Sequence, residues 1–178
     1  MMLITFFIVV FGLMAIEARR ASRNERTQRA RGGIEPAADM STYRAMQFAY
    51  PGAFAAMLLE AALRGAPSRG AIAIGACVFL GAKSLKWWAI VALGSGWTFR
   101  VIVVPGASLV RSGPYRFLRH PNYVAVAGEL IGVALMTGAA VAGPVTTAVF
   151  AALMVRRVIV EERALDAARL EVGASKRR

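Results

Sequence analysis

The chain is poor in the side chains that bind metals or cross-link a fold. Among its 178 residues there is one cysteine, Cys77, and one histidine, His120. A single cysteine excludes a disulfide within the chain and a cluster of thiolate ligands. A metal site built on imidazole ligands would need more than one histidine. We therefore expect no metal site, and we look for function in other residue types.

Charged residues are also scarce, and acidic ones are the scarcest. Charged residues make up 18% of the chain and hydrophobic residues 57%, a composition more apolar than that of an ordinary soluble domain. The 22 basic residues outnumber the 10 acidic ones and lie between apolar runs. There they set membrane topology and attract anionic lipid head groups. We expect the lipid bilayer as a partner and no nucleic acid, because no continuous basic face or nucleic-acid-binding module is present.

Five mainly apolar segments predict membrane-spanning helices. They cover residues 1–16, 45–63, 70–82, 122–136 and 144–160. The third is short for the roughly 20 residues that cross a bilayer, so we expect it to continue through Lys83 and Lys86, whose long side chains suit the membrane interface. The sequence predicts an all-α integral membrane protein of about five transmembrane helices, with a helical tail at residues 161–172.

The distribution of arginines predicts the orientation in the membrane. Six arginines lie between residues 19 and 31, after the first apolar segment, whereas a cleaved signal peptide carries its positive charge before that segment. We expect an uncleaved first helix with its N-terminus outside. Five crossings then leave only Arg64 and Arg69 of the 22 basic residues outside. The segment 83–120 and the region around Glu161 would both be cytoplasmic, in a protein of the bacterial inner membrane.

The densest polar segment is residues 111–123, which directly precedes the fourth apolar segment. Pro121 suits the first turn of a helix, because its missing N–H would have no partner there. The helix start offers N–H groups and a partial positive charge to an anionic ligand group. His120 and Tyr123 add directional hydrogen bonds. The alternative is an interfacial belt, with arginines on lipid head groups and aromatic side chains anchoring the helix end.

Two adjacent acids lie at the predicted cytoplasmic end of the fifth segment. Glu161 is four residues after Arg157, so the two share a helix face. Either they pair with each other, or the acid binds a cofactor while Arg157 orients an acidic substrate group. Glu162 follows directly.

One acid, Glu129, lies inside the fourth apolar segment. An ionisable residue at membrane depth is a functional candidate. The alternative is a protonated glutamate that bonds to a neighbouring helix. Gly128 and Gly132 form a pair of small residues four apart, which brings another helix close.

Four motifs together resemble the isoprenylcysteine carboxyl methyltransferase family. They are Leu93-Gly94-Ser95-Gly96-Trp97, Leu109-Val110-Arg111-Ser112-Gly113-Pro114-Tyr115, Arg119-His120-Pro121-Asn122-Tyr123 and Glu161-Glu162. The resemblance covers about residues 80–172. Within the family, the chain resembles the small bacterial members associated with type III polyketide synthases, which O-methylate alkylpyrones or alkylresorcinols.

The resemblance implies a membrane methyltransferase whose cytoplasmic S-adenosylmethionine pocket is closed by a loop and the C-terminal helix. Residues 1–69 would form N-terminal membrane helices with an arginine-rich loop, and residues 70–178 the methyltransferase core of a single domain. Arg157 falls where the family has a substrate-binding arginine, and Glu129 or Glu162 would act as a base toward a hydroxyl acceptor. The cofactor contacts carried over by position are Arg100, Ala107, Ser108, Leu109, Val110, Tyr115, His120, Pro121, Asn122, Tyr123 and Glu161.

The acceptor would be a lipophilic small molecule that carries either an alkylpyrone or alkylresorcinol hydroxyl or a prenylcysteine-like carboxylate. Three other functions are left open by the residues: phospholipid N-methylation, reduction by an NADPH-dependent membrane enzyme with a similar Arg-His-Pro-Asn-Tyr box, and a non-catalytic membrane scaffold. Binding of S-adenosylmethionine or of NADPH separates these, because a scaffold binds neither.

Overall fold

The computed structural model describes residues 2–65 and 67–175, and within them the regular structure is helical. The α-helices are α1 (Met2–Ala30), α2 (Asp39–Arg64), α3 (Arg69–Leu93), α4 (Pro121–Thr137) and α5 (Ala142–Ser175). Two short 3-10 helices span Gly94–Gly96 and Gly113–Arg116, and an isolated antiparallel bridge joins Ile34 to Val103. The predicted all-α fold is confirmed.

Within the described residues, two helical segments are long and apolar enough to cross a membrane. They are Arg69–Gly96 and Ala142–Ala167, which contain 18-residue windows with mean hydropathies of 1.4 and 1.5. The α4 helix is apolar too, but its 17 residues make it shorter than a typical span. Length and composition therefore support two crossings, and the expected total of about five stays a prediction.

The ends of α4 follow from local chemistry. Pro121 takes the first helical position, after His120 as the N-cap residue. The helix ends at Gly138, whose φ of 66° is left-handed and whose N–H donates to the carbonyl oxygens of Ala134 and Leu135. The α5 helix begins soon after, at Ala142, and continues through the predicted helical tail to Ser175.

Residue contacts divide the chain into two units. The first contains residues 2–44, 93–110 and 155–175, and the second contains residues 45–92 and 111–154. Both units combine segments that are distant in sequence. Their boundaries differ from the expected division at residues 69 and 70, which remains a prediction.

In the first unit, polar side chains of α1 hold the turn that follows α3. The Asn24 side-chain amide donates to the carbonyl oxygens of Gly94, at 3.1 Å, and Trp97, at 2.7 Å. The Gln28 amide donates to the carbonyl oxygen of Ser95 at 2.8 Å. Trp97 itself is buried. Side-chain amides of α1 thus donate to three backbone carbonyl groups of this turn, which fixes its path.

In the second unit, α3 and α4 approach each other backbone to backbone. A Cβ atom added at Gly75 would lie 2.6 Å from the carbonyl oxygen of Gly132, and one added at Gly132 would lie 2.7 Å from the backbone nitrogen of Phe79. A Cβ atom at Gly128 would meet the Cβ of Ala82 at 2.8 Å. The expected close approach at Gly128 and Gly132 is confirmed, and it is the packing that helices use in lipid.

This contact gives a matched pair of variants on one helix. Gly75→Ala should destabilise the protein by about 1 to 3 kcal/mol, because the new methyl group overlaps the α4 backbone. Gly81→Ala should cause no loss, since nothing lies within 4 Å of its added Cβ. Thermal unfolding of both variants in detergent provides the measurement. Equal midpoints for the two would contradict the described approach of α3 and α4.

Candidate functional site

In the first unit, Arg157 of α5 lies against the start of α2. Its guanidinium Nη1 is 3.3 Å from Oδ1 of Asp39, and its Nη2 donates a hydrogen bond to the carbonyl oxygen of Phe99. The other oxygen of Asp39, Oδ2, accepts a hydrogen bond from the backbone N–H of Val101 at 2.8 Å. Each of the two side chains therefore forms a hydrogen bond with the backbone of segment 99–101.

This ion pair is buried. Asp39 has 0% of its surface exposed and Arg157 has 5%. Removing one partner from such a pair leaves an uncompensated charge away from water, so each residue depends on the other. Sequence reasoning selected Arg157 and missed Asp39. The available signal was an acidic residue at the first position of a helix in a chain with few acids.

Arg100 lies at the centre of a second charged group in the same unit. Its Nη1 donates to Oε1 of Glu35 at 2.8 Å, and its Nε lies 3.6 Å from Oε2 of Glu25. The guanidinium carbon sits 4.4 Å from the centroid of the Tyr43 ring, and Glu35 also pairs with Arg29. The predicted cofactor contact at Arg100 thus has two carboxylates beside it.

The pKa values of the two carboxyl groups next to Arg100 are shifted in opposite directions. Burial raises the pKa of Glu35, but hydrogen bonds from Arg100 and Arg29 outweigh burial and hold that pKa below its ordinary value. Burial dominates at Glu25 and raises its pKa, although Arg100 and Arg29 act against it. The hydrogen bond to Glu35 raises the pKa of Arg100. The surroundings therefore favour the ionised form of Glu35, whereas burial acts against the ionised form of Glu25.

The other predicted site residues of the first unit lie in two places. Residues 107–109 are exposed and follow a turn in which the N–H of Ala107 donates to the carbonyl oxygen of Val104 at 3.1 Å. Val110 is half-buried. Glu161 and Glu162 are half-buried on α5, in the turn after Arg157.

In the second unit, the predicted helix-start motif has the expected geometry. His120 is the N-cap residue of α4, and within the described residues no side chain caps this helix start. The ring centroids of His120 and Tyr123 are 5.6 Å apart, and Pro121 is buried. Tyr115 lies in the preceding 3-10 helix. An uncapped helix start beside a histidine and a tyrosine suits an anionic ligand group.

Glu129 in the same unit lies at the centre of a buried charged cluster. Its Oε1 is 2.8 Å from the ammonium group of Lys83, and its Oε2 is 3.3 Å from that of Lys86. The hydroxyl of Tyr50 donates to Oε2 as well. Glu129 has 0% of its surface exposed and Lys86 has 2%. The carboxylate of Glu129 is therefore paired with two lysine side chains.

The cluster corrects one expectation. Lys83 and Lys86 were expected to reach the membrane interface, but α3 buries both against Glu129. Glu129 is fully buried, and a buried carboxylate without a cation would be strongly destabilising, so the lysines pair with it instead of extending to the interface. Sequence reasoning also missed Tyr50, whose ring packs on Phe54 and Phe150 at centroid distances of 5.0 and 5.3 Å.

The predicted site residues thus fall into two sets. The first unit holds Arg100, Ala107, Ser108, Leu109, Val110, Arg157, Glu161 and Glu162, and the second holds Tyr115, His120, Pro121, Asn122, Tyr123 and Glu129. Their assigned roles as cofactor or substrate contacts stay predictions.

Comparison with known proteins places the chain among relatives. The sequence profile of the isoprenylcysteine carboxyl methyltransferase family matches residues 73–167. The uncharacterised protein YpbQ of Bacillus subtilis (strain 168) is 35% identical over 91 residues, which cover 51% of this chain and 54% of that protein. An uncharacterised protein of Haemophilus influenzae is 26% identical over 145 residues, 81% of this chain and 83% of that protein. No solved structure matches at a significant level.

The opposite pKa shifts of Glu35 and Glu25 predict that replacing each with glutamine has a different effect on stability. Glu35→Gln should lower stability at pH 7 by about 0.5 to 1 kcal/mol, the range for partly exposed ion pairs. Glu25→Gln should cause no loss there, because burial disfavours its charged form. A lowered pKa stabilises the fold above the ordinary carboxyl pKa, and this contribution disappears as the pH falls through the lowered value.

The measurement is the unfolding midpoint of both variants in detergent at pH 7 and at pH values below the carboxyl range. The Glu35→Gln deficit should shrink toward acid. A larger loss for Glu25→Gln than for Glu35→Gln at pH 7 would contradict the described network.

Proposed function

Because this chain belongs to the isoprenylcysteine carboxyl methyltransferase family, we propose that it is a membrane methyltransferase that uses S-adenosylmethionine to methylate a lipophilic acceptor. Membrane methyltransferases form this family, and they use S-adenosylmethionine in general. The family match over residues 73–167 is the observation that carries the proposal. That range contains α4, its start at His120, and the part of α5 with Arg157 and Glu161.

The donor groups at the start of α4 fit the carboxylate of the cofactor. The helix dipole and N–H groups favour a negative charge there, and the N-cap residue His120 makes no side-chain capping hydrogen bond. His120 and Tyr123 would add hydrogen bonds. Glu161 would bind an amino or ribose group of the cofactor. Arg100, residues 107–110, Tyr115, Pro121 and Asn122 are proposed as further contacts.

S-adenosylmethionine supplies, when bound, a methyl group on a sulfonium centre. The chain's own task is to hold the acceptor oxygen in line with that group, since alignment accounts for much of the rate. We assign the orientation of the acceptor to Arg157. A phenolic hydroxyl, with a pKa of about 10, also needs a base to take its proton, and Glu129 or Glu162 would serve. A carboxylate acceptor would need no base.

The acceptor that we propose is the hydroxyl of an alkylpyrone or alkylresorcinol. A glutamate inside α4 supports a hydroxyl acceptor, because a carboxylate acceptor gains nothing from a base. The distribution of basic residues supports a cytoplasmic active site in a bacterial inner membrane. The chain spans about half the length of the Bacillus subtilis relative that it matches, so activity and acceptor are both proposals.

Two substitutions test the proposed cofactor contacts. His120→Ala and Glu161→Ala should each weaken S-adenosylmethionine binding by about 10 to 100-fold, because loss of one charged hydrogen bond costs roughly 1.5 to 3 kcal/mol. Calorimetry with purified protein in detergent measures the dissociation constant directly.

Arg116→Ala and Asp166→Ala are the matched controls. The first removes a polar side chain from the same loop as His120, and the second removes an acid from the same helix as Glu161. Neither is a proposed contact, so both should bind S-adenosylmethionine as the wild type does. Unchanged affinity in both test variants would leave only the interfacial belt as a role for the His120 segment. Binding of NADPH instead would favour a reductase.

The acceptor is tested by methyl transfer in membranes that contain labelled cofactor. An alkylpyrone should be labelled faster than a farnesyl-cysteine analogue, and Glu129→Gln should reduce pyrone turnover by about 100-fold or more, the usual loss of a general base. Rates are compared per folded protein, because Glu129 also pairs with Lys83 and Lys86. Faster labelling of the farnesyl-cysteine analogue, or full pyrone turnover in Glu129→Gln, would rule out this acceptor.

A further inference from the structure

Asp39 lies outside the segment that the family profile matches, yet it contacts a residue to which we assign acceptor binding. It is the first residue of α2, whereas the match covers residues 73–167. Its Oδ1 lies 3.3 Å from Nη1 of Arg157. The partner of Arg157 is therefore supplied by a part of the chain that the shared motifs do not include.

Asp39 is fixed independently of Arg157. Its Oδ2 accepts a hydrogen bond from the backbone N–H of Val101 at 2.8 Å, and the residue is fully buried. Arg157 is anchored separately by its hydrogen bond to the carbonyl oxygen of Phe99. Both charges are thus held in place by backbone groups of the same short segment, so the pair persists without an acceptor.

The pair changes which acceptors Arg157 can bind well. A buried arginine with its own carboxylate forms a neutral pair, and a second carboxylate brought beside it meets the like charge of Asp39. A hydroxyl group carries no charge and meets no such repulsion. An arginine has five N–H donors, so pairing with Asp39 does not by itself prevent a hydrogen bond to a neutral oxygen.

We propose that Asp39 is a specificity-determining residue that makes the Arg157 position select a neutral, hydroxyl-bearing lipid over a lipid carboxylate. The inference rests on the proposed function in one respect, that Arg157 orients the acceptor. It deepens that function by naming the charge state of the acceptor head group. Its basis is the buried Asp39–Arg157 contact and is independent of Glu129.

Equilibrium binding tests this without any methyl transfer. Purified protein in detergent at pH 7 is titrated with an alkylresorcinol and, separately, with a fatty acid of equal chain length. At that pH the alkylresorcinol is neutral and the fatty acid is ionised. The wild type should bind the alkylresorcinol about tenfold more tightly than the fatty acid, which is the change in affinity that corresponds to an electrostatic shift of one pKa unit. In Asp39→Asn, which keeps an oxygen for the Val101 N–H, the dissociation constant of the fatty acid should fall about tenfold. That of the alkylresorcinol should change by less than about threefold.

Two controls separate this effect from a general change in charge or stability. Glu35→Gln removes the same charge in the same unit, but it contacts Arg100 and Arg29, so the preference should stay as in the wild type. Asp39→Glu keeps the charge and should retain the preference for the alkylresorcinol. Circular dichroism of each variant establishes that it is folded.

The outcomes separate this inference from the proposed function. If neither lipid binds the wild type, the lipophilic-acceptor function fails and the role of Asp39 fails with it. If the wild type binds the fatty acid as tightly as the alkylresorcinol, the role of Asp39 is wrong, whether or not Asp39→Asn folds. An unchanged preference in folded Asp39→Asn, or an equal change in Glu35→Gln, also overturns it while the methyltransferase function stands.

Discussion

The free-energy cost of burying an unpaired charge determines the layout of both units. Glu129 and Asp39 are fully buried, and each lies against a basic side chain from another helix. An isolated buried ion costs several kcal/mol, and removing one partner of a buried pair commonly costs 3 to 5 kcal/mol. The helices that carry these residues must therefore adopt the registers that bring the charges together. Apolar packing alone would allow several registers, because its attraction has no direction.

Close backbone packing complements these charge pairs in the second unit. The glycines at Gly75 and Gly132 let α3 approach α4 so nearly that a single methyl group would not fit. The same two helices carry Lys83, Lys86 and Glu129. A short distance between the helix axes allows the lysine side chains to reach the carboxylate within α4. The small residues and the ion pairs thus depend on one another, since each requires the same separation of α3 and α4.

Local patterns in the sequence predicted the helices well, but they did not reveal side-chain partners that are distant in the sequence. The apolar segment at 122–136 and Pro121 place α4 almost as observed, because a helix start and an apolar run are encoded within a few residues. Lys83 and Lys86 were assigned to the interface, since periodicity does not reveal that Glu129 lies on the facing helix. Asp39 was missed for the same reason: it lies far from Arg157 in the sequence, and only the fold brings the two side chains together.

The α2 helix supplies a partner to one predicted site residue in each unit. Asp39 at its start pairs with Arg157, and Tyr50 further along donates a hydrogen bond to Glu129. Both partners precede residue 73, where the family match begins, whereas Arg157 and Glu129 lie within it. The electrostatic environment of a residue inside the matched segment thus depends on residues outside it. Because Asp39 lies 3.3 Å from Arg157, we expect one substitution in α2 to alter the proposed acceptor preference without any change within residues 73–167.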